Sequence, residues 1–395
     1  MRERDIIRRL RDAFGKWGIG DDAAVLAPSG GDLLFASDAV VEGVHFRREY
    51  GTLGQAVQKV ITSNVSDIYA MGGVPHAIVV TAGLPPGCGE SDIDEIIEGA
   101  ALACEAYGVR LVGGDTVRSP GGFFFDVAIT GSVGRGRAVR RSGAQPGDAL
   151  VLFGSCGGSR GGMLLLEALA GGARDTVLGR AASVVDADKR VAMMRIVSSL
   201  TLSMASEDME RLCSEHGLGH DLVPLLELAA RHIVPLTRTA DHTLLDADRS
   251  AADARYVSAM IDISDGLARD LATLCAESGV GAFVEEAKLP IHPALERVWR
   301  SEGIESADEI GSPHAADDDG YLPAVETIPG RTKLALSSGE EYVMLTAVRG
   351  YTAGMKLPGS GTVIGRIVKR EEGVMLVTPA GDRCPLPELG YEHEF

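Results

Sequence analysis

Glycine makes up 50 of the 395 residues, and the way it is distributed limits what the chain can build. The glycines do not form a flexible linker. They gather in short groups beside acidic side chains, as in GIGDD at 18–22, GGDT at 113–116 and SDG at 264–266. Glycine tolerates tight, left-handed backbone that other residues resist, so these groups read as turns presenting a carboxylate at the end of a strand or helix.

With 45% apolar and 24% charged residues, the chain has material for two conventional domains with real cores. A net charge of −18 repels polyanions, which argues against nucleic acid or an anionic membrane as partner. Any phosphate bound by such a chain needs a cation to mediate. The opening MRERDIIRRLRDAF is too charged for a signal peptide, and no stretch approaches 18 apolar residues, so a soluble cytoplasmic protein is expected. The six cysteines form no C-x-x-C pair and read as scattered buried thiols.

Periodicity predicts an α/β to α+β two-domain architecture. In the first half, residues 33–46 read as one long strand, 52–71 as a helix, 77–84 as a strand, 91–107 as a second helix, and 109–112 and 123–133 as further strands. The turn SGAQPGD at 142–148 marks a boundary, giving domains at 1–148 and 149–395. The second half holds a glycine loop, GSCGGSRGG at 154–162, the strand MIDIS and a helix from Leu267, with a helical insertion expected at about 171–230.

The candidate chemistry lies in aspartates at turns: Asp21 and Asp22, Asp38, Asp67, Asp115, Asp262 and Asp265. Singly, each has a structural alternative, such as an N-cap for Asp265 or a Gly-Gly turn for Asp115. Together they say more, because carboxylates that converge stay ionised only if cations neutralise them. Magnesium takes a few carboxylates plus substrate phosphates, so shared aspartates fit phosphoryl transfer with ATP bound through metal. On the first helix Ser63, Asn64 and Asp67 are neighbours at three and four residues. In MIDIS, Asp262 and Ser264 share a face, and the helix after Asp265 offers free N–H groups to a phosphate. His45 lies seven residues beyond Asp38, about 23 Å if the strand stays extended, and so serves another part of the site unless the chain bends. Arg141 and Arg160 are candidate phosphate clamps. The glycine loop resembles a phosphate cradle without the Lys-Ser/Thr of a P-loop; close packing explains it equally well.

In order, GIGDDAAVL, ASDAVVEGVHF, SNVSDIYAMGG, VRLVGGDTVRSP, GRAVRRSGAQPGD, MIDISDGLARDL, SSGEEY and GYEHEF resemble the landmarks of the thiamine-monophosphate kinase family, whose fold group includes aminoimidazole ribonucleotide synthetase. The resemblance covers about 15–170 and 230–395. It implies an N-terminal mixed α/β domain that forms a homodimer through its strands, a C-terminal α+β domain, and ATP in the cleft between them. It also implies direct transfer of the ATP γ-phosphoryl group to thiamine monophosphate, with several Mg²⁺ ions. By position, Asp22, Ser37, Asp38, Asp67, Asp115, Asp262 and Asp265 would hold metal, with Asp67, Asp115 and Asp262 closest to the chemistry. Gly114, Asp115, Arg141, Ser264 and Tyr107 would meet ATP, and His45, Glu340 and Tyr391 the thiamine substrate. Ser338-Gly339-Glu340-Glu341-Tyr342 stands where the family's G-G-E-D-Y is expected, and 171–230 exceeds the usual connection. A diverged enzyme of the same fold acting on another phosphate or amide, and a non-catalytic nucleotide-binding scaffold, are the alternatives.

Overall fold

The computed structural model describes residues 9, 12–13, 30–171, 177–183, 185–238, 240, 242–245, 256–301, 330–352, 357, 361–387 and 389–391. Among these, the strands form a sheet of four and a sheet of seven.

The first sheet has β1 (Asp32–Val41), β2 (Val74–Leu84), β3 (Arg110–Arg118) and β4 (Phe124–Val133) in the order β1-β4-β2-β3, antiparallel except for the parallel pair β2 and β3. Alternation along β4 buries Phe125, Val127 and Ile129 on one face. Against that face lie two helices, α1 (Leu53–Ala70) and α2 (Glu90–Tyr107). Thr52 caps α1 in a reciprocal capping box with Gln55, satisfying two otherwise orphaned N–H groups.

The second sheet comprises β5 (Ala149–Phe153), β6 (Tyr256–Asp262), β7 (Val280–Glu285), β8 (Met344–Arg349), β9 (Gly361–Lys369), β10 (Val374–Val377) and β11 (Arg383–Pro385), ordered β11-β10-β7-β9-β5-β8-β6. Between β5 and β6 in the chain come α3 (Gly158–Leu169), α4 (Val177–Ser183), α5 (Ala187–Ser199), α6 (Ser206–Glu215) and α7 (Val223–Ile233). Their buried side chains merge with the core under the first sheet. One face of the second sheet packs on α8 (Leu267–Ser278). The other meets Ala70 at the end of α1. Helix α1 thus runs from the first sheet to β6, the edge strand of the second. All six cysteines are free, and four are buried. Among the described residues no helix is long and apolar enough to cross a membrane.

The long strand expected over 33–46 is shorter. β1 ends at Val41 and the chain turns at Gly43, whose φ of 84° suits glycine. The N–H groups of Val44 and His45 both reach back to the Val41 carbonyl.

Candidate active site

Lys59, Ser63, Ser66 and Asp67 occupy i, i+4, i+7 and i+8 of α1, a single helical face. That face meets the end of β6, where the Ser66 hydroxyl donates to Asp262 Oδ2 at 2.7 Å. On the neighbouring side of α1, fully buried Asn64 accepts from the Asp38 N–H at 3.2 Å and donates to the Val60 carbonyl at 2.8 Å, clamping β1 to the helix. Three carboxylates from distant parts of the chain, Asp38, Asp67 and Asp262, are thereby brought together.

Their electrostatics show the crowding. Burial raises the Asp67 carboxyl, with Asp262 and Asp38 adding repulsion and Arg141 opposing it, to about 8. Burial also raises Asp262, against the Ser66 hydrogen bond and with a further push from Asp38. Asp38 is raised by burial too, while a Ser63 hydrogen bond and His45 pull the other way. Among the described residues no three His, Cys, Asp or Glu side chains form a ready-made metal site.

Two of the other expected metal ligands, Ser37 and Asp115, lie elsewhere. Along β1, Ser37 points away from α1 and its hydroxyl donates to Asp126 at 3.3 Å. Asp126 is registered with Thr81, and Thr81 with Asp115, so Ser37, Asp126 and Asp115 share the outward face of the first sheet. Asp115 is exposed there, accepting from the Thr116 N–H at 2.8 Å, with Gly114 beside it in β3. The fold therefore separates Ser37 and Asp115 from Asp38, Asp67 and Asp262. Asp21 and Asp22 fall outside the described residues.

The turn at Gly43 brings His45 back far enough to stabilise the Asp38 carboxylate, so the extended separation does not apply. His45 Nδ1 accepts the Val41 N–H at 3.1 Å. Glu340 arrives from the other half: its N–H donates to the Ser264 carbonyl at 2.7 Å, and the Tyr342 N–H donates to that of Ile263 at 2.8 Å. The Tyr391 N–H donates to the Asp265 carbonyl at 2.9 Å, laying the end of the chain on the same loop. Tyr107 is committed to structure, its hydroxyl bonded to Thr62 at 2.9 Å and accepting the Thr237 N–H at 3.3 Å.

Two elements read from sequence as possible phosphate cradles have protein partners. Just before α8, the N–H groups of Ser264, Asp265 and Gly266 all donate to Asp270 Oδ2, at 3.0, 3.1 and 3.1 Å. Burial beside Asp262 and Asp265 raises the Asp270 carboxyl to about 8, but an oxygen of the neutral acid still accepts these bonds. The glycine loop, for its part, is a packing device. A Cβ on Gly162 would lie 2.0 Å from the Leu228 carbonyl oxygen of α7, and the Ser159 N–H donates to Glu341. Arg160 donates to the Ser337 carbonyl at 3.4 Å.

Sequence reasoning missed four residues here. Lys59, almost fully buried, donates to Glu340 Oε2 at 2.6 Å and to the His45 carbonyl at 3.0 Å. Buried Glu341 accepts from Ser338 at 2.6 Å and from Arg231 of α7 at 3.0 Å. Asp270 organises the loop of Ser264 and Asp265. The spacing of Lys59 to Asp67, eight residues on one helical face, was the available signal for Lys59; the Arg231 and Glu341 pair left none.

Residues 20–133 match the AIR synthase related protein, N-terminal domain family. A thiamine-monophosphate kinase of Aquifex aeolicus is 30% identical over 70% of this chain and 71% of its own length. The chain belongs to the thiamine-monophosphate kinase family. A thiamine-monophosphate kinase of Pyrococcus horikoshii is 27% identical over the full chain and 96% of the relative. Among solved structures, that of AaThiL complexed with AMPPCP and TMP aligns over 100% of this chain and 99% of its own, with a TM-score of 0.60 and 25% identity. In the family's terms, Ser338 and Glu341 are the departures from G-G-E-D-Y, and they meet each other: the Glu341 carboxylate is turned inward to Ser159, Ser338 and Arg231. Glu340, which the family pattern shares, faces the site.

Proposed function

We propose that the protein transfers the γ-phosphoryl group of ATP directly, in line, to thiamine monophosphate, giving thiamine diphosphate. The observation that carries this reading is the gathering of Asp38, Asp67 and Asp262 at the junction of the two halves, beside a loop bearing Glu340. Relatives named thiamine-monophosphate kinase, and the AaThiL complex with AMPPCP and TMP, support it.

Carboxylates raised by burial and by one another's charge suit a hard divalent cation, which favours their ionised forms. Asp38, Asp67 and Asp262 would hold Mg²⁺, with Asp265 at the rim and Asp22 as a further ligand by family position. Bound Mg²⁺ neutralises charge on the phosphates. Arg141, close enough to favour ionised Asp67 and Asp262, would meet ATP together with Ser264. His45, Glu340 and Tyr391 would face the thiamine substrate. The acceptor is itself a phosphate with an oxygen ready to attack, so no side chain has to remove a proton; the task of the residues is to align two anions.

The outward face of the first sheet supports a homodimer. Leu33 and Phe35 of β1, two residues apart on that face, are each 70% exposed, and Val41 further along is 41% exposed. A second copy on this face would cover Ser37, Asp115 and Asp126. The reaction's dependence on ATP supports a cytoplasmic location.

Incubation with ATP, Mg²⁺ and a panel of phosphorylated acceptors, read by product mass, tests the reading. Thiamine diphosphate from thiamine monophosphate is expected. Phosphoryl transfer only to a different acceptor would overturn the substrate assignment, and ATP binding without turnover would overturn the activity.

A further inference from the structure

We infer that Lys59 is a positioning residue for acceptor recognition: its buried ammonium fixes the Glu340 carboxylate at the mouth of the cleft between the 42–52 connection and α7. The inference deepens the proposed function and rests on it.

Lys59 is 2% exposed, an unusual place for a lysine unless it is paired. It touches both flanks of the cleft, contacting Glu340 Oε2 at 2.6 Å and the carbonyl of His45 at 3.0 Å. The cleft is lined by His45, Tyr50, Lys59 and His232, with the Tyr50 and His232 rings 6.3 Å apart. His232 Nδ1 lies 3.7 Å from the same Glu340 oxygen. Glu340 itself is held in a left-handed backbone conformation, φ 54°, and Tyr342 in another, φ 48°, each costing on the order of 1 kcal/mol or more for a non-glycine residue. The Ser264 and Ile263 carbonyls pin that backbone to the carboxylate loop. What remains to be set is the side chain. Turned toward its neighbours on the loop, the Glu340 carboxylate would add a further negative charge to Asp38, Asp67 and Asp262; Lys59 draws it across to the cleft instead. Such an arrangement orients an acceptor carrying a cationic or hydrogen-bond-donating ring and leaves ATP alone.

The test is steady-state kinetics of wild type, Lys59→Met, Glu340→Gln and the double variant, varying thiamine monophosphate and ATP separately. Lys59→Met is expected to raise KM for the acceptor about tenfold or more while KM for ATP stays within about twofold and kcat within about threefold. The double variant is expected to be no worse than Glu340→Gln alone, because Lys59 acts through Glu340. An unchanged acceptor KM, a parallel rise in both KM values, or additive effects would overturn the proposal and leave Lys59 a staple between the two halves. Should Lys59→Met fail to fold, Lys59→Arg keeps the charge and moves the contact, and the same acceptor-only rise is expected. A wild type that makes no thiamine diphosphate overturns the underlying function; a wild type that makes it without the KM split in the variants overturns this inference alone.

Discussion

The Ser66 hydroxyl and the Asp262 carboxylate meet at 2.7 Å across 196 positions of sequence, both side chains buried. This one bond fixes how the polar face of α1 sits against the end of β6. A buried carboxylate oxygen that loses its donor bears the desolvation cost alone. Ser66→Ala is expected to destabilise the protein by about 1–3 kcal/mol, measured as a lower urea midpoint at unchanged slope. Wild-type stability in the variant would show that the contact contributes nothing.

Asp67 links stability to pH. Its carboxyl titrates near the ordinary value of 3.8 when unfolded and at about 8 in the native, metal-free protein. Between those values the native state holds the proton that the unfolded chain has released, so the contribution of this group is fully present below about 4 and is lost as pH rises through about 8. In EDTA, wild type is expected to lose roughly 3–4 kcal/mol between pH 5 and 8, Asp67→Asn much less. Added Mg²⁺ should restore wild type at pH 8 and leave the variant unmoved, while turnover in Asp67→Asn falls at least about 100-fold. Equal pH slopes in both proteins would refute the assignment.

Asp270 holds three consecutive N–H groups on one oxygen. Asp270→Ala strands all three beside the carboxylates and is expected to cost about 2–4 kcal/mol, whereas Asp270→Asn retains an acceptor and should cost less than half of that. Chemical denaturation of the two variants checks the ranking, which a side chain acting only through its charge would not produce.

Phe35 probes the exposed sheet face. Phe35→Asp places a charge amid Leu33 and Val41, and light scattering is expected to show a dimer for wild type and a monomer for the variant. A wild-type monomer at tens of micromolar protein would remove the homodimer from the proposed function.

Much of this was legible before any coordinates. The stripe of α1 and its polar patch follow from side-chain spacing within 18 residues, and α2 begins one residue from its expected start. Asp38, Asp67 and Asp262 stand out only together with Asp21, Asp22, Asp115 and Asp265, because short acidic motifs are visible locally while the choice among them depends on docking. The bend after Val41 was missed because a single glycine, Gly43, turns the chain, and a glycine inside an apolar run does not by itself reveal which φ it adopts.

The amino-acid order alone determined which faces of the helices and strands are apolar and which polar side chains share a face with one another, since each depends on neighbours a few residues apart. Only the tertiary structure decided that Asp38 meets Asp67 and Asp262 while Ser37 meets Asp126, that Asp270 gathers the N–H groups of Ser264, Asp265 and Gly266, and that Lys59 reaches Glu340 across 281 positions. Those outcomes depend on how helices and sheets dock, and docking is set by the burial of whole surfaces, which no single residue pattern records.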